Sequence, residues 1–81
     1  MEIAYVLVKS KIGHEMDVMN DILKIGGVKE VMGTYGICDI FVKVQVTTRI
    51  EIEEVITKKI RKINNVISTT TLSVIPEQGG K

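Results

Sequence analysis

Few side chains in this sequence carry chemistry, and one of them is oddly placed. In the stretch TYGICDI, Thr34 to Ile40, a glycine leads into an apolar run, and Asp39 stands at its head with no basic residue beside it. Asparate side chains in such places often cap a turn by accepting from neighbouring N–H groups. A second concentration is the hydroxyl run Ser68, Thr69, Thr70 and Thr71, which on residue type alone reads as ordinary strand-forming sequence. The single cysteine, Cys38, excludes an internal disulfide and any cysteine-based metal cluster. Alternation places it beside Ile40 on a covered face, as a small buried hydrophobe. The single histidine, His14, falls at an exposed helix start. One histidine and scattered acids do not make a constellation for general acid–base catalysis. The chain therefore reads as a non-enzyme, with no metal and no cofactor.

Those residues are held by a short series of elements. Glu2–Ser10 is apolar on both alternating faces, Ile3, Tyr5 and Leu7 on one and Ala4, Val6 and Val8 on the other, which marks a central strand. Residues 13–25 follow as an amphipathic helix, whose stripe reads as Ile12, Met16, Met19 and Leu23, widened by Ile22. Gly26 and Gly27 stop it. Val28–Tyr35 is a more polar, edge-like strand. After Gly36, Ile37–Val46 alternates Ile40, Val42, Val44 and Val46 against Asp39, Phe41, Lys43 and Gln45. Thr48 and Glu51 have capping-box spacing and open a second helix with the stripe Ile52, Val55, Ile56, Ile60 and Ile63. Its glutamates come first and its lysines and arginine last, matching the helix dipole. Asn64 and Asn65 end it, Val66–Ile75 is the final strand, and PEQGGK is a loose tail.

This order predicts an α+β fold of the ferredoxin-like βαββαβ kind: a four-stranded antiparallel sheet with two helices on one face. Residues 1–76 form one domain and 77–81 a flexible C-terminal tail, with no helix-turn-helix segment. The 24 isoleucines and valines suit such a sheet, and the chain of 81 residues is short for a second core. The fold leaves one sheet face open, where Ile3, Tyr5, Leu7 and Phe41 lie. That face predicts a dimer interface with a second copy.

The segment VKEVMGTYGICDIFVKVQV, an amphipathic helix, and then INNVISTTTLSVI together resemble the effector-binding domain of the Lrp/AsnC feast/famine regulators. The shared pattern is a glycine, two residues, an aspartate and an apolar strand, followed later by V-x-x-T-x-T: here Gly36, Asp39, Val66, Thr69 and Thr71. The resemblance covers nearly the whole chain and matches the family's stand-alone versions, which lack the DNA-reading domain. It implies a small-molecule ligand, mostly a free amino acid, bound between dimers that assemble into rings. Asp39 would then receive the ligand ammonium, Tyr35 and Gly36 would bring backbone close to it, and Ser68, Thr69 or Thr70 would hold its carboxylate. The turn before Asp39 and the start of the last strand are expected at opposite ends of the sheet, so that one site draws on two subunits. The family commonly has an aromatic before the aspartate, where this chain has Cys38.

Charge and hydropathy bound the partners. A net charge of +1 supplies almost no field for nucleic-acid backbones or acidic membranes. No apolar run approaches the roughly 20 residues that span a bilayer, so the expected location is the cytoplasm. Expected partners are a second copy and a DNA-binding homologue of the same family, through which transcription is modulated. Two other classes fit the topology. An RNA-recognition-like module would use Tyr5 and Phe41 on the open face, but its glycine-rich third-strand signature is absent. A small dimeric enzyme of the cofactor-free oxygenase type would need a polar cavity.

Overall fold

Val6 and Val8 of the first strand touch no water, and the whole architecture is arranged around them. The computed structural model describes residues 1–74. Strand β1 (Glu2–Ser10), helix α1 (Glu15–Leu23), strands β2 (Val28–Gly33) and β3 (Ile40–Val46), helix α2 (Arg49–Glu54) and strand β4 (Val66–Ser73) follow in that order. Helix α2 runs on without a break into π-helical turns over Val55–Ile60. The sheet has the order β2-β3-β1-β4, and every pairing is antiparallel. This is the expected ferredoxin-like sandwich, with β1 central and β2 at an edge.

Alternation sorts the side chains into two layers. Ala4, Val6 and Val8 of β1 and Ile40, Val42 and Val44 of β3 are buried under the helices. Val18 and Ile22 of α1, with Ile52, Val55, Ile56 and Ile60 of the second helix, complete that core. On the other face Ile3, Tyr5, Leu7 and Phe41 are only half-buried. Tyr5 and Phe41 stack on each other there, ring centroids 5.2 Å apart and 26° from parallel. The predicted open face is therefore present and apolar at its centre.

The second helix begins as its sequence dictates. The Thr48 side chain accepts from the Glu51 N–H while the Glu51 carboxylate accepts from the Thr48 N–H, a complete capping box. The first helix differs from expectation. It starts at Glu15, because Gly13 is left-handed at φ +88°, and it ends at Leu23. Its buried face is Val18 and Ile22, extended by Ile25, whereas Ile12, Met16 and Leu23 are exposed. The chain carries two apolar stripes on this helix, and the β-branched one at 18, 22 and 25 faces the sheet.

The hairpin between β2 and β3 is also shorter in strand and longer in loop than expected. Tyr35 and Ile37 lie outside the strands and are exposed. The loop is closed by the Thr34 N–H donating to the Asp39 carbonyl at 2.8 Å and the Thr34 hydroxyl donating to the Cys38 carbonyl at 2.9 Å. Cys38 is half-buried in this loop, its Sγ 3.4 Å from Thr34 Oγ1, rather than a fully buried core residue. Strand β4 ends at Ser73; Ile75, which was expected to close it, and the tail 77–81 lie outside the described residues.

Gly27 makes the tightest joint in the fold. It is left-handed at φ +96°, its carbonyl accepts from the Gln45 N–H at 2.8 Å, and a Cβ there would sit 2.8 Å from Val46 Cγ1. Gly36 is left-handed too, but a Cβ there meets nothing within 4 Å. Gly27→Ala should therefore destabilise the protein by about 2 kcal/mol or more, and Gly36→Ala by about 1 kcal/mol from backbone strain alone. Urea denaturation of both variants at one protein concentration checks the order.

Candidate functional site

Antiparallel pairing decides which residues can meet. β3 and β4 both run against β1, so both begin at its C-terminal end: Val8 faces Ile40 on one side and Thr69 on the other, and Ser10 faces Val66. Asp39 and the start of β4 thus lie at the same end of the sheet, about 10 Å apart with β1 between them. The expectation of opposite ends is overturned, because strands β3 and β4, each antiparallel to β1, are parallel to one another.

Asp39 is half-buried, and one of its oxygens is already engaged. Its Oδ2 accepts from the Ser10 N–H at 2.9 Å, and its own N–H donates to the Val8 carbonyl at 3.0 Å. The carboxylate so extends the β1–β3 ladder by one bond beyond the last paired residues. Ser10 is 3 % exposed, and its hydroxyl has no partner among the described residues. The N–H of the next residue, Lys11, donates to the Asn65 carbonyl just before β4. Asp39 therefore anchors the junction of β1, β3 and β4. Asp39 also lines a recess of about 410 Å³ formed with Glu15, Met16 and Met19 of α1 and Gly33, Thr34 and Tyr35 of the hairpin. Of the predicted ligand residues, Tyr35 and Asp39 line this recess, and Gly36 sits at the exposed loop tip beside them.

The hydroxyl run divides between two faces. Ser68 faces Lys9 and Thr70 faces Leu7, which puts both on the open side of the sheet, away from the helices. Thr69 and Thr71 face Val8 and Val6 and so lie on the helix side. A register shift at Lys9/Ser10 sets this parity, because it places Ile67 as an extra residue in β4. Sequence alternation alone gave no sign of that bulge. Of the three expected hydroxyls, Ser68 and Thr70 therefore lie on the face opposite to Thr69.

On the helix side α1 packs on β2, and α2 packs on β3 and β1, leaving β4 at the rim of the helical layer. Between α2 and β4 runs a groove of about 310 Å³. Its strand wall is Thr69, Thr71 and Ser73; its helix wall is Arg49, Glu53, Thr57 and Arg61; its floor includes Ile52 and Ile56. Glu2 closes one end. Topology orders these groups. α2 starts near the β1 N-terminus, so Arg49, Glu53, Glu2 and Ser73 share one end and Arg61, Thr57 and Thr69 the other. The second end has one guanidinium and two hydroxyls and no carboxylate, a set suited to a carboxylate or similar oxyanion. Neither arginine is within 4 Å of an acidic group among the described residues.

The helix wall was missed in the sequence, although its spacing is visible there. Arg49, Glu53, Thr57 and Arg61 recur every four residues, as do Ile52, Ile56 and Ile60. On a regular α-helix each four-residue step drifts about 40°, so Arg61 would end up about 120° from Arg49. The π-helical turns absorb one extra residue, as the Arg61 N–H donating to the Ile56 carbonyl at 2.9 Å attests. Both rows then stay in line, one on the groove and one in the core. No group of three or more His, Cys, Asp or Glu side chains converges as a metal site among the described residues. No helix among them is long and apolar enough to cross a membrane.

The sequence model of the Lrp/AsnC ligand binding domain matches residues 3–77. Among solved structures, FFRP-DM1 is 36 % identical with a TM-score of 0.88, covering 93 % of this chain and 100 % of its own. A hypothetical protein from Pyrococcus horikoshii, PHS023, is 36 % identical with a TM-score of 0.87, covering 96 % of this chain and 94 % of its own. The transcriptional regulator NMB0573 from Neisseria meningitidis, solved with L-Met, shares the fold at 14 % identity and a TM-score of 0.78; the match covers 98 % of this chain and 53 % of that one. No curated protein matches the chain.

The two duties of Asp39 can be separated. Asp39→Asn keeps an oxygen to accept from Ser10 N–H and should leave stability within about 0.5 kcal/mol. Asp39→Ala leaves that N–H without its acceptor and should cost about 1–2 kcal/mol. Denaturant titration of the two variants measures the difference, and equal stabilities would remove the anchoring role.

Proposed function

Since the chain belongs to the Lrp/AsnC ligand binding domain family, we propose that it is a regulatory sensing domain whose ligand is a free amino acid. The observation that carries the reading is the groove between α2 and β4, with Arg61, Thr57 and Thr69 at one end and an isoleucine floor. The ligand carboxylate takes hydrogen bonds from the Arg61 guanidinium and the two hydroxyls, and its apolar portion rests on Ile52 and Ile56. The ammonium meets the unengaged oxygen of Asp39 from a neighbouring copy. Within one chain the recess at Asp39 and the groove lie on opposite flanks of β1, with buried Val8 between them. Two copies are needed to bring those halves together, although not for the reason of sheet ends.

The same reading assigns the open sheet face to dimerisation. Ile3, Tyr5, Leu7 and Phe41 supply its apolar centre, and covering their still exposed parts is worth about half of the roughly 1.5–3 kcal/mol that full burial of each would give. Ligand binding between dimers then changes their assembly. Transcription is affected through a DNA-binding homologue with a matching sheet face, since mixed assembly needs the same dimer surface. L-Met in the NMB0573 structure is consistent with an amino acid as the ligand class. The reading is regulatory rather than enzymatic.

A thermal-shift panel of the twenty amino acids tests it. At least one should raise the melting temperature by mass action. Thr69→Val and Arg61→Gln should each weaken that ligand about tenfold or more, the equivalent of roughly 1.5–3 kcal/mol, whereas Thr70→Val should not. A panel in which no amino acid shifts melting at millimolar concentration sinks the proposal. In a low-salt gel shift the chain alone should give no sequence-specific DNA retention.

A further inference from the structure

Charge is unevenly distributed along the groove between α2 and β4. Its Arg61 end holds the Thr57 and Thr69 hydroxyls and no carboxylate. One step along, both walls change together. On the helix, Glu53 lies four residues before Thr57, about 6 Å away. On the strand, Thr71 lies two residues after Thr69, about 7 Å away. Glu2, half-buried at the start of β1, is the second carboxylate at that end. Arg49 stands a further helical turn beyond Glu53, about 6 Å on. Resting on the sensing reading of this groove, we infer that its ligand is a basic amino acid of about lysine's length. Glu53, supported by Glu2, is the residue that selects it.

Reach is the first reason. A ligand whose carboxylate is held by Arg61, Thr57 and Thr69 sends its side chain along the floor toward the other end. That floor is Ile56 and then Ile52, both buried beneath the groove. It offers apolar contact to a methylene stem, while a charged head stays at the wet rim. The four-carbon stem of a lysine spans about one helical turn. Its ammonium therefore arrives level with Glu53 and stops short of Arg49.

Charge is the second reason. The two ion pairs among the described residues, His14 with Asp17 and Lys24 with Asp21, both belong to α1 and its flanks. Glu53 and Glu2 thus have no cationic partner within 4 Å among the described residues. A cationic head gains attraction from both carboxylates, and an acidic head meets like charge. An apolar head gains nothing from either. A carboxamide brings N–H donors without a charge.

Calorimetry with L-lysine, L-norleucine and L-glutamine tests the assignment. Norleucine has lysine's stem without the ammonium, and glutamine has a neutral donor. The protein should bind lysine at least about fivefold more tightly than either. Added salt should shrink that margin, because it screens the attraction. Glu53→Gln should reduce the margin to about twofold or less. Glu54→Gln removes the same charge from the same helix outside the groove, and should keep it. Norleucine or glutamine matching lysine, a margin that survives Glu53→Gln, or an equal loss in Glu54→Gln would each overturn the inference and leave the sensing reading standing. If none of the twenty amino acids binds, the sensing reading falls and this inference falls with it.

Discussion

Strand β1 is apolar on both faces in a fold that supplies helices to only one. Ala4, Val6 and Val8 are sealed beneath α1 and α2, while Ile3, Tyr5 and Leu7 remain half-exposed beside Phe41. Antiparallel sheets commonly turn a polar face to water, and this strand instead turns apolar side chains there. The Tyr5–Phe41 stack gives them partial cover from within the sheet, because each ring shields the other. The proposed second copy would give the remainder. Small domains bury a modest fraction of their surface, so the proposed second copy on this face would also add core to a chain of 81 residues.

The same asymmetry produces the groove. Two helices do not reach across four strands, and β4 is the strand left at the rim. Its helix-side residues, Thr69, Thr71 and Ser73, are hydroxylated, which suits a wall that is wet on one side and paired to β1 on the other. The π-helical turns of the second helix keep a charged row over that wall while holding Ile56 and Ile60 in the core. A rare backbone form at such a place fits the general tendency of π-turns to occur at functional sites. Asp39, on the far side of β1, is held in place by accepting from the Ser10 N–H. A fixed carboxylate loses little conformational freedom on receiving a partner, which favours binding.

The elements and their order were legible because alternation in β1 and β3 and the capping box at Thr48 are strong local signals. Helix α1 was legible as a helix, but not in its orientation: Met16, Met19 and Leu23 have helical spacing as good as that of Val18, Ile22 and Ile25, and periodicity does not say which stripe meets the sheet. The faces of the hydroxyl run were not legible for a different reason. Its parity rests on a bulge at Lys9/Ser10, and a one-residue shift moves every side chain to the other face. Asp39 drew notice for its lack of a charged neighbour, and its backbone partner is 29 positions away in sequence. Contacts at that range depend on register, which local pattern does not carry.

The central claim is that a second copy covers the open face, and Tyr5 reports on it directly. The chain has two tyrosines and no tryptophan, so Tyr35→Phe leaves Tyr5 as the only strong fluorophore. Acrylamide quenching of that variant across a dilution series is the deciding measurement. The account predicts that Tyr5 is shielded at micromolar concentration and becomes accessible only as the dimer dissociates. Equal, efficient quenching at every concentration, in a protein that stays folded, would contradict it.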